Sequence, residues 1–103
     1  MKKSIVFDAR AVKEFEEFER SVQLSFQSHI TILSSEGRLE FPDARKISAE
    51  IFEIRIEWGG AYRGLYAYAG KDFIIILHFF NKKSQKTPLK NIAVARQRLK
   101  AYV

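Results

Sequence analysis

From Ile51 to Trp58 the sequence IFEIRIEW alternates. Phe52, Ile54, Ile56 and Trp58 fall on one face, and Glu53, Arg55 and Glu57 on the other, the period of a strand with one side buried. Gly59-Gly60 marks a turn. YRGLYAYA (Tyr62–Ala69) comes next as a second strand, Gly70-Lys71 as a second turn, and DFIIILHFF (Asp72–Phe80), apolar on both faces, as a strand inside the sheet. Earlier in the chain the period is different. SIVF (Ser4–Phe7) predicts a short strand, and Asp8 is placed to cap a helix starting at Ala9. From Ala9 to about Ser34 apolar residues recur at helical spacing: Val12, Phe15, Phe18, Val22, Phe26, Ile30 and Leu33. Leu24 and Ile32 fall off that stripe, so the segment is one helix or two with a bend, stopping at Gly37. Glu14, Glu16, Glu17 and Glu19 lie mostly off the stripe and read as surface charge. Ser34–Ser48 is a connecting loop. Thr87 and Pro88 read as a hydroxyl N-cap with proline at the first helical position. The last helix turns Leu89, Ile92, Leu99 and Tyr102 inward, and Lys90, Arg98 and Lys100 outward.

The order β-α(α)-β-β-β-α predicts an α+β fold. A small antiparallel sheet, made of the first strand and a three-strand meander, is packed by the N-terminal helix or helical hairpin and carries a C-terminal helix. At 103 residues a single domain, 1–103, is expected, and a composition 47% hydrophobic with nine phenylalanines supplies its core. The absence of cysteine fits a reducing compartment. The longest apolar run has eight residues, FIIILHFF, too short to span a bilayer. The opening stretch MKKSIVFDARAVKEF lacks the apolar run of a signal peptide. The sequence reads as a soluble cytoplasmic protein with no membrane association.

Charge changes the picture. The net charge is +6, but residues 1–50 carry eight basic and nine acidic side chains, and residues 51–103 carry ten and three. From Asn81 onward there are seven basic residues and no acid. Such a field attracts a polyanion, above all nucleic acid, or an acidic protein; it is also what a solvated face looks like. Lys82, Lys83, Lys86 and Lys90 come after the last strand, and the meander brings Arg55 and Arg63 toward them. Cations gathered without an acid repel one another and suit an anion. The plain alternative pairs Arg55 with Glu53 or Glu57. Whether Arg55 and Arg63 share a face depends on the turn between them.

No metal or cofactor site is legible: His29 and His78 have no carboxylate partners at ligand spacing, and no Gly-rich phosphate loop is present. His78, inside an apolar strand, reads as a core histidine, and as a natural proton carrier it is also a candidate site residue. One chemistry open to such a set is RNA cleavage. There a 2′-hydroxyl attacks its own phosphate, and fixed cations stabilise the extra charge of the transition state. Tyr62, Tyr66 and Tyr68 suit either stacking on bases or ordinary strand packing.

Four motifs then carry a resemblance: Phe52-Glu53-Ile54-Arg55; Tyr62-Arg63-Gly64-Leu65-Tyr66; His78-Phe79-Phe80-Asn81-Lys82-Lys83; and Thr87-Pro88. In this order and setting the chain resembles the RelE/ParE toxin superfamily, in its HigB-like branch, which includes phage-derived members. The resemblance implies the toxin of a type II toxin–antitoxin pair, a metal-independent, ribosome-dependent mRNA endonuclease that inhibits translation. It implies a cognate antitoxin, often a helix-turn-helix DNA-binding protein, with the ribosome and mRNA as further partners. The family's functional arginine maps onto Arg63, the basic position of the preceding strand onto Arg55, and the basic residue after the last strand onto Lys82 or Lys83. The catalytic set expected on these grounds is Arg63, Lys83, Arg55 and His78, with Lys82, Lys86, Lys90 and Tyr62 contacting RNA. Two positions depart from the pattern: Leu89 stands where a tyrosine is common, and Gly64 where an apolar residue usually comes after the arginine. A ParE-like gyrase inhibitor without nuclease activity, or an inactive RNA-binding relative, are the other functions such a chain would have.

Overall fold

In a computed structural model, which describes residues 1–57, 59–83 and 86–103, the chain runs β1 (Ser4–Phe7), α1 (Ala9–Glu16), α2 (Arg20–Glu36), β2 (Ala44–Lys46), β3 (Phe52–Glu57), β4 (Ala61–Ala69), β5 (Phe73–Lys82) and α3 (Leu89–Leu99). The strands form one sheet in the order β1-β5-β4-β3-β2. The α+β class and the antiparallel meander β3-β4-β5 are as the alternation predicts. Two features differ. The sheet is mixed, because β1 pairs parallel to β5: the α1–α2 crossover returns the chain to the same end of the sheet. And the loop expected from Ser34 to Ser48 contains β2, a short edge strand antiparallel to β3. Trp58, placed by its alternation on the apolar face, lies outside the described residues. Among the described residues no helix is long and apolar enough to cross a membrane.

Asp8 caps α1 as expected, its carboxylate accepting from the Arg10 backbone N–H, and Gly37 ends α2 in the left-handed conformation at φ 81°. The predicted helix does divide, but at Glu17–Glu19 and not at the residues that suggested it. Leu24 and Ile32 simply face solvent. The phenylalanine stripe packs on one face of the sheet, where Phe15, Phe18, Phe26 and Phe79 meet at ring-centroid distances of 5.0–6.3 Å. Gly64 lies beneath it. A Cβ there would stand 2.9 Å from Phe79 and 3.2 Å from Phe26, so the missing side chain lets the two rings settle onto β4. The other face is half covered by α3, through Ala95 and Leu99 against Leu65, Ala67, Ile75 and Leu77. Leu89, expected to face inward, is exposed.

An irregularity in β5 decides which residues face which way. Leu65 pairs with His78, but Tyr66 pairs with Ile76, so Leu77 is an extra residue and the facing parity reverses beyond it. Phe79 therefore enters the phenylalanine core, while Phe80 and Lys82 join the opposite face. Side chains meet the backbone of this bulge. Arg98 donates to the Leu77 carbonyl at 2.9 Å, and Glu14 accepts from the Phe79 N–H at 3.1 Å. Glu14 also takes two hydrogen bonds from Arg98 and one from His78 Nδ1, and Asn91 meets His78 Nε2 at 2.7 Å. Glu14 is thus not surface charge, and Arg98 does not point outward. Together they tie α1, β5 and α3. At the end of the same seam Tyr102 donates to Asp8.

Gly64→Ala is expected to force the Phe79 and Phe26 rings to shift and to destabilise the protein by about 1–3 kcal/mol, read from denaturant unfolding. Burial raises the Glu14 pKa, but hydrogen bonds from Arg98, His78 and Phe79 outweigh it and leave it below the usual carboxylate range. Its contribution to stability is therefore present above the unfolded carboxyl pKa and lost as pH falls through the lower folded value. Glu14→Gln is expected to be less stable than the parent at pH 7. It should lose less further stability below about pH 5, as acid titration of the unfolding midpoint would show.

Candidate nucleic-acid interface

On the side of the sheet that bears α3, the helix covers only one half. The other half is polar. Along β3 the period of two puts Glu53, Arg55 and Glu57 on it. Arg63 of β4 lies directly opposite Arg55, Phe80 of β5 opposite Arg63, and Lys82 opposite Ala61. Arg55 and Arg63 therefore do share a face. Arg45, opposite Glu53, adds a cation from β2.

The acids in this group correct the expectation of unneutralised cations. Glu53 is fully buried. It accepts from Arg45 Nε at 3.1 Å and from the Thr87 hydroxyl, and stands 3.6 Å from Arg63 Nε. Thr87 consequently does not cap α3; Pro88 holds the N-cap position without a side-chain bond. Arg63 is itself buried, donating to the Tyr62 carbonyl at 2.9 Å and to Glu57 Oε1 at 2.7 Å. The same Glu57 oxygen is 3.6 Å from Arg55 Nη2. A buried arginine spanned by two carboxylates is how a short β-ladder tolerates facing guanidiniums, which otherwise repel.

Lys82 is buried beside them. Burial, and then the Arg63 charge, lower its pKa. Among Arg45, Arg55, Arg63 and Lys82 on one side and Glu53 and Glu57 on the other, cations outnumber acids two to one. Exposed Lys83 and Lys86 flank the group, and exposed Lys90 lies in the first turn of α3. At the outer edge of β3 the Arg55 guanidinium lies 5.7 Å from the ring of Phe41, an exposed aromatic.

Two predicted site residues stand elsewhere. Tyr62 lies on the opposite face of the sheet, its ring edge-on to Phe18 at 5.1 Å. His78 sits in the seam with both ring nitrogens engaged, the satisfied arrangement of a core histidine, and its placement gives no support to a role as base. The plain alternative that pairs Arg55 with a neighbouring acid is found at Glu57, while the part of Glu53 and Glu57 in holding Arg63 was not read from sequence, although both flank Arg55 at the strand period. Arg45 carried no signal, because β2 was read as loop.

The chain matches the family described as phage derived protein Gp49-like over residues 13–100. No curated protein matches it at significant sequence similarity. Solved structures match it in fold. A mutant of the E. coli toxin RelE in its free state is 16% identical, with both chains covered in full and a TM-score of 0.70. The intact E. coli RelBE toxin–antitoxin complex is 17% identical over 80% of this chain and 99% of the other, with a TM-score of 0.65. The archaeal RelE–RelB complex from Pyrococcus horikoshii OT3 is 22% identical over 79% and 96%, with a TM-score of 0.61. The fold is that of RelE.

The burial of Arg63 has a measurable consequence. Arg63→Ala leaves the buried Glu53 bonded to the part-exposed Arg45 and the Thr87 hydroxyl, and should cost about 3 kcal/mol or more of stability. Lys83→Ala, at an exposed position, should stay within about 0.5 kcal/mol of the parent. Chemical denaturation of the two variants distinguishes them, and an activity lost in Arg63→Ala alone would report unfolding as much as chemistry.

Proposed function

The chain belongs to the phage-derived Gp49-like family, and on that premise we propose that it is the toxin of a type II toxin–antitoxin pair, acting as a ribosome-dependent mRNA endonuclease. The observation that carries this reading is the gathering of Arg55, Arg63 and Lys82 on the half of a RelE-type sheet that α3 leaves free, flanked by Lys83, Lys86 and Lys90. A backbone phosphate lying over this face meets guanidinium donors. As the 2′-hydroxyl gives its proton to water and attacks the phosphorus, the phosphate oxygens gain charge, and donors held in place by β3 and β4 stabilise that state more than the ground state. The bond to the 5′-oxygen breaks, leaving a 2′,3′-cyclic phosphate, and the departing oxygen needs a proton. Lys82, whose burial lowers its pKa, suits that role better than an ordinary lysine. Lys83, Lys86 and Lys90 hold neighbouring phosphates and contribute the salt-dependent share of binding. E. coli RelE and its archaeal counterpart are seen with RelB, which supports a cognate antitoxin here. A helix-turn-helix character for it rests on the HigB-like resemblance alone.

Transcript 5′-end mapping shortly after induced expression tests the reading, with wild type beside Lys83→Ala and Lys82→Met, which keeps the apolar stem and removes the charge. New ends inside translated reading frames are expected in the wild type. They should fall roughly a hundredfold or more in Lys82→Met and also decline in Lys83→Ala. Growth arrest with unchanged 5′ ends would move the assignment to a gyrase inhibitor. RNA binding without growth arrest would make the chain an inactive binding relative.

A further inference from the structure

The two acids of the cationic face have different surroundings. Glu53 is sealed in, with Arg45, Arg63 and Thr87 around it. Glu57 is the last residue of β3, and its side chain is 57% exposed. Yet its single oxygen Oε1 reaches both facing guanidiniums, 2.7 Å from Arg63 and 3.6 Å from Arg55. With the carboxylate there, the Arg63 side chain is only 2% exposed. An anionic oxygen shared by two arginines is also the way a phosphodiester oxygen is held. The carboxylate engages the pair through Oε1 alone. Among the described residues Arg55 Nε and Arg63 Nε are buried without a hydrogen-bond partner. Arg63 Nε faces Glu53 at 3.6 Å, so Arg55 Nε is the donor that Glu57 leaves for a second phosphate oxygen.

We propose that Glu57 is a built-in phosphate mimic: its carboxylate occupies the phosphodiester position between Arg55 and Arg63, and RNA must displace it to engage them. The inference rests on the reading of this face as the RNA site and adds a regulatory residue to it. Glu57 suits displacement because it lies at the strand end and is largely solvated, so that leaving Arg63 returns its charge to water at little cost. Its pKa is lowered, first by the hydrogen bond from Arg63 and further by the charges of Arg63, Arg55 and Lys82. The gate is therefore charged at neutral pH. In exchange it keeps the facing guanidiniums from repelling one another while the site is empty. Engaging the arginine pair then exchanges one anion for another, and the net gain in neutralised phosphate is small. Without the Glu57 charge the same contact counts in full.

The test is binding of a 2′-O-methyl single-stranded oligoribonucleotide, which cannot be cleaved, to wild type and Glu57→Gln across a salt series, with unfolding curves confirming that both are folded. Glu57→Gln should bind about fivefold more tightly at low salt, and its slope of log affinity against log salt should be steeper by up to about one phosphate contact. Glu57→Asp, which retains the charge and shortens the reach to Arg63, controls for the loss of length. It should lie between the two. Inorganic pyrophosphate, read by its thermal stabilisation of each protein, separates this inference from the proposed function. If neither protein binds the oligonucleotide but pyrophosphate stabilises Glu57→Gln more than wild type, the mimic stands and the mRNA reading falls. If Glu57→Gln gains nothing with either probe, or binds more weakly, the inference is overturned.

Discussion

One extra residue in β5 governs both faces of this molecule. Up to Ile76 the strand alternates in step with β4; beyond Leu77 it is out of step by one. A strand without that insertion would carry His78 and Phe80 toward the helical hairpin, and Phe79 away from it. The phenylalanine core would lose the ring in contact with Phe15, Phe18 and Phe26. Lys82 would leave the face of Arg63. The hydrophobic core and the cationic face are thus two results of the same backbone irregularity. The Glu14–Arg98 pair, by bonding to backbone atoms on either side of His78, holds that irregularity in register. A site whose geometry depends on a bulge is supported here by a half-buried ion pair reaching across 84 positions of the chain.

The charges on the half of the sheet beyond α3 are arranged in two layers. Glu53 lies inside and fixes what surrounds it: Arg45 from the edge, Thr87 from the approach to α3, Arg63 from the neighbouring strand. Removing any one of these leaves a buried charge or hydroxyl short of a partner, the costly kind of loss. Glu57 lies outside, where water screens it and its ion pairs are worth little. The inner acid is therefore a structural constraint and the outer one an exchangeable occupant. This division lets one arginine be both rigidly placed and open to another anion, which is what preorganised stabilisation of a developing charge requires.

Much of this was legible from the sequence, and the part that was not has a physical cause. Local signals held. The strand alternation of Ile51–Glu57, the Asp8 cap and the Gly37 stop each depend on atoms within a few residues, and each is found. Where a residue's partner is distant in sequence, local rules chose the wrong one. A threonine before proline reads as a helix cap, but Glu53 outcompetes the helix for the Thr87 hydroxyl. Glu14 and Arg98 look like solvated charges on their own helices, since neither helix reveals the other. The bulge is invisible to periodicity, because Ile74 to Phe80 is apolar whichever way it faces. In the candidate site charge singled out Arg55, Arg63 and Lys82, but not their common face: the turn left the register of Arg55 and Arg63 open, and Lys82 joins them only through the bulge. Arg45 was not, because a three-residue edge strand has too little alternation to be recognised.

The uneven charge of the two halves of the chain also reads differently in space. The seven basic residues after Asn81 suggest a field owned by the C-terminal end. But Arg98 is neutralised by Glu14, and Arg96 reaches across to Ser48. Conversely, the N-terminal half, net negative in sequence, contributes Arg45 to the face through β2. What a polyanion would meet is therefore not the charge of a chain segment but the charge left on one half of a sheet after the fold's own acids have been assigned. Between the strands themselves that remainder is two positive charges, four cations against two acids, so whether the exposed Glu57 counts against it matters to binding strength. A single strand-end carboxylate is then a lever on affinity comparable to one of the flanking lysines: each lysine adds about one phosphate contact, and Glu57, standing against two arginines, holds about one back.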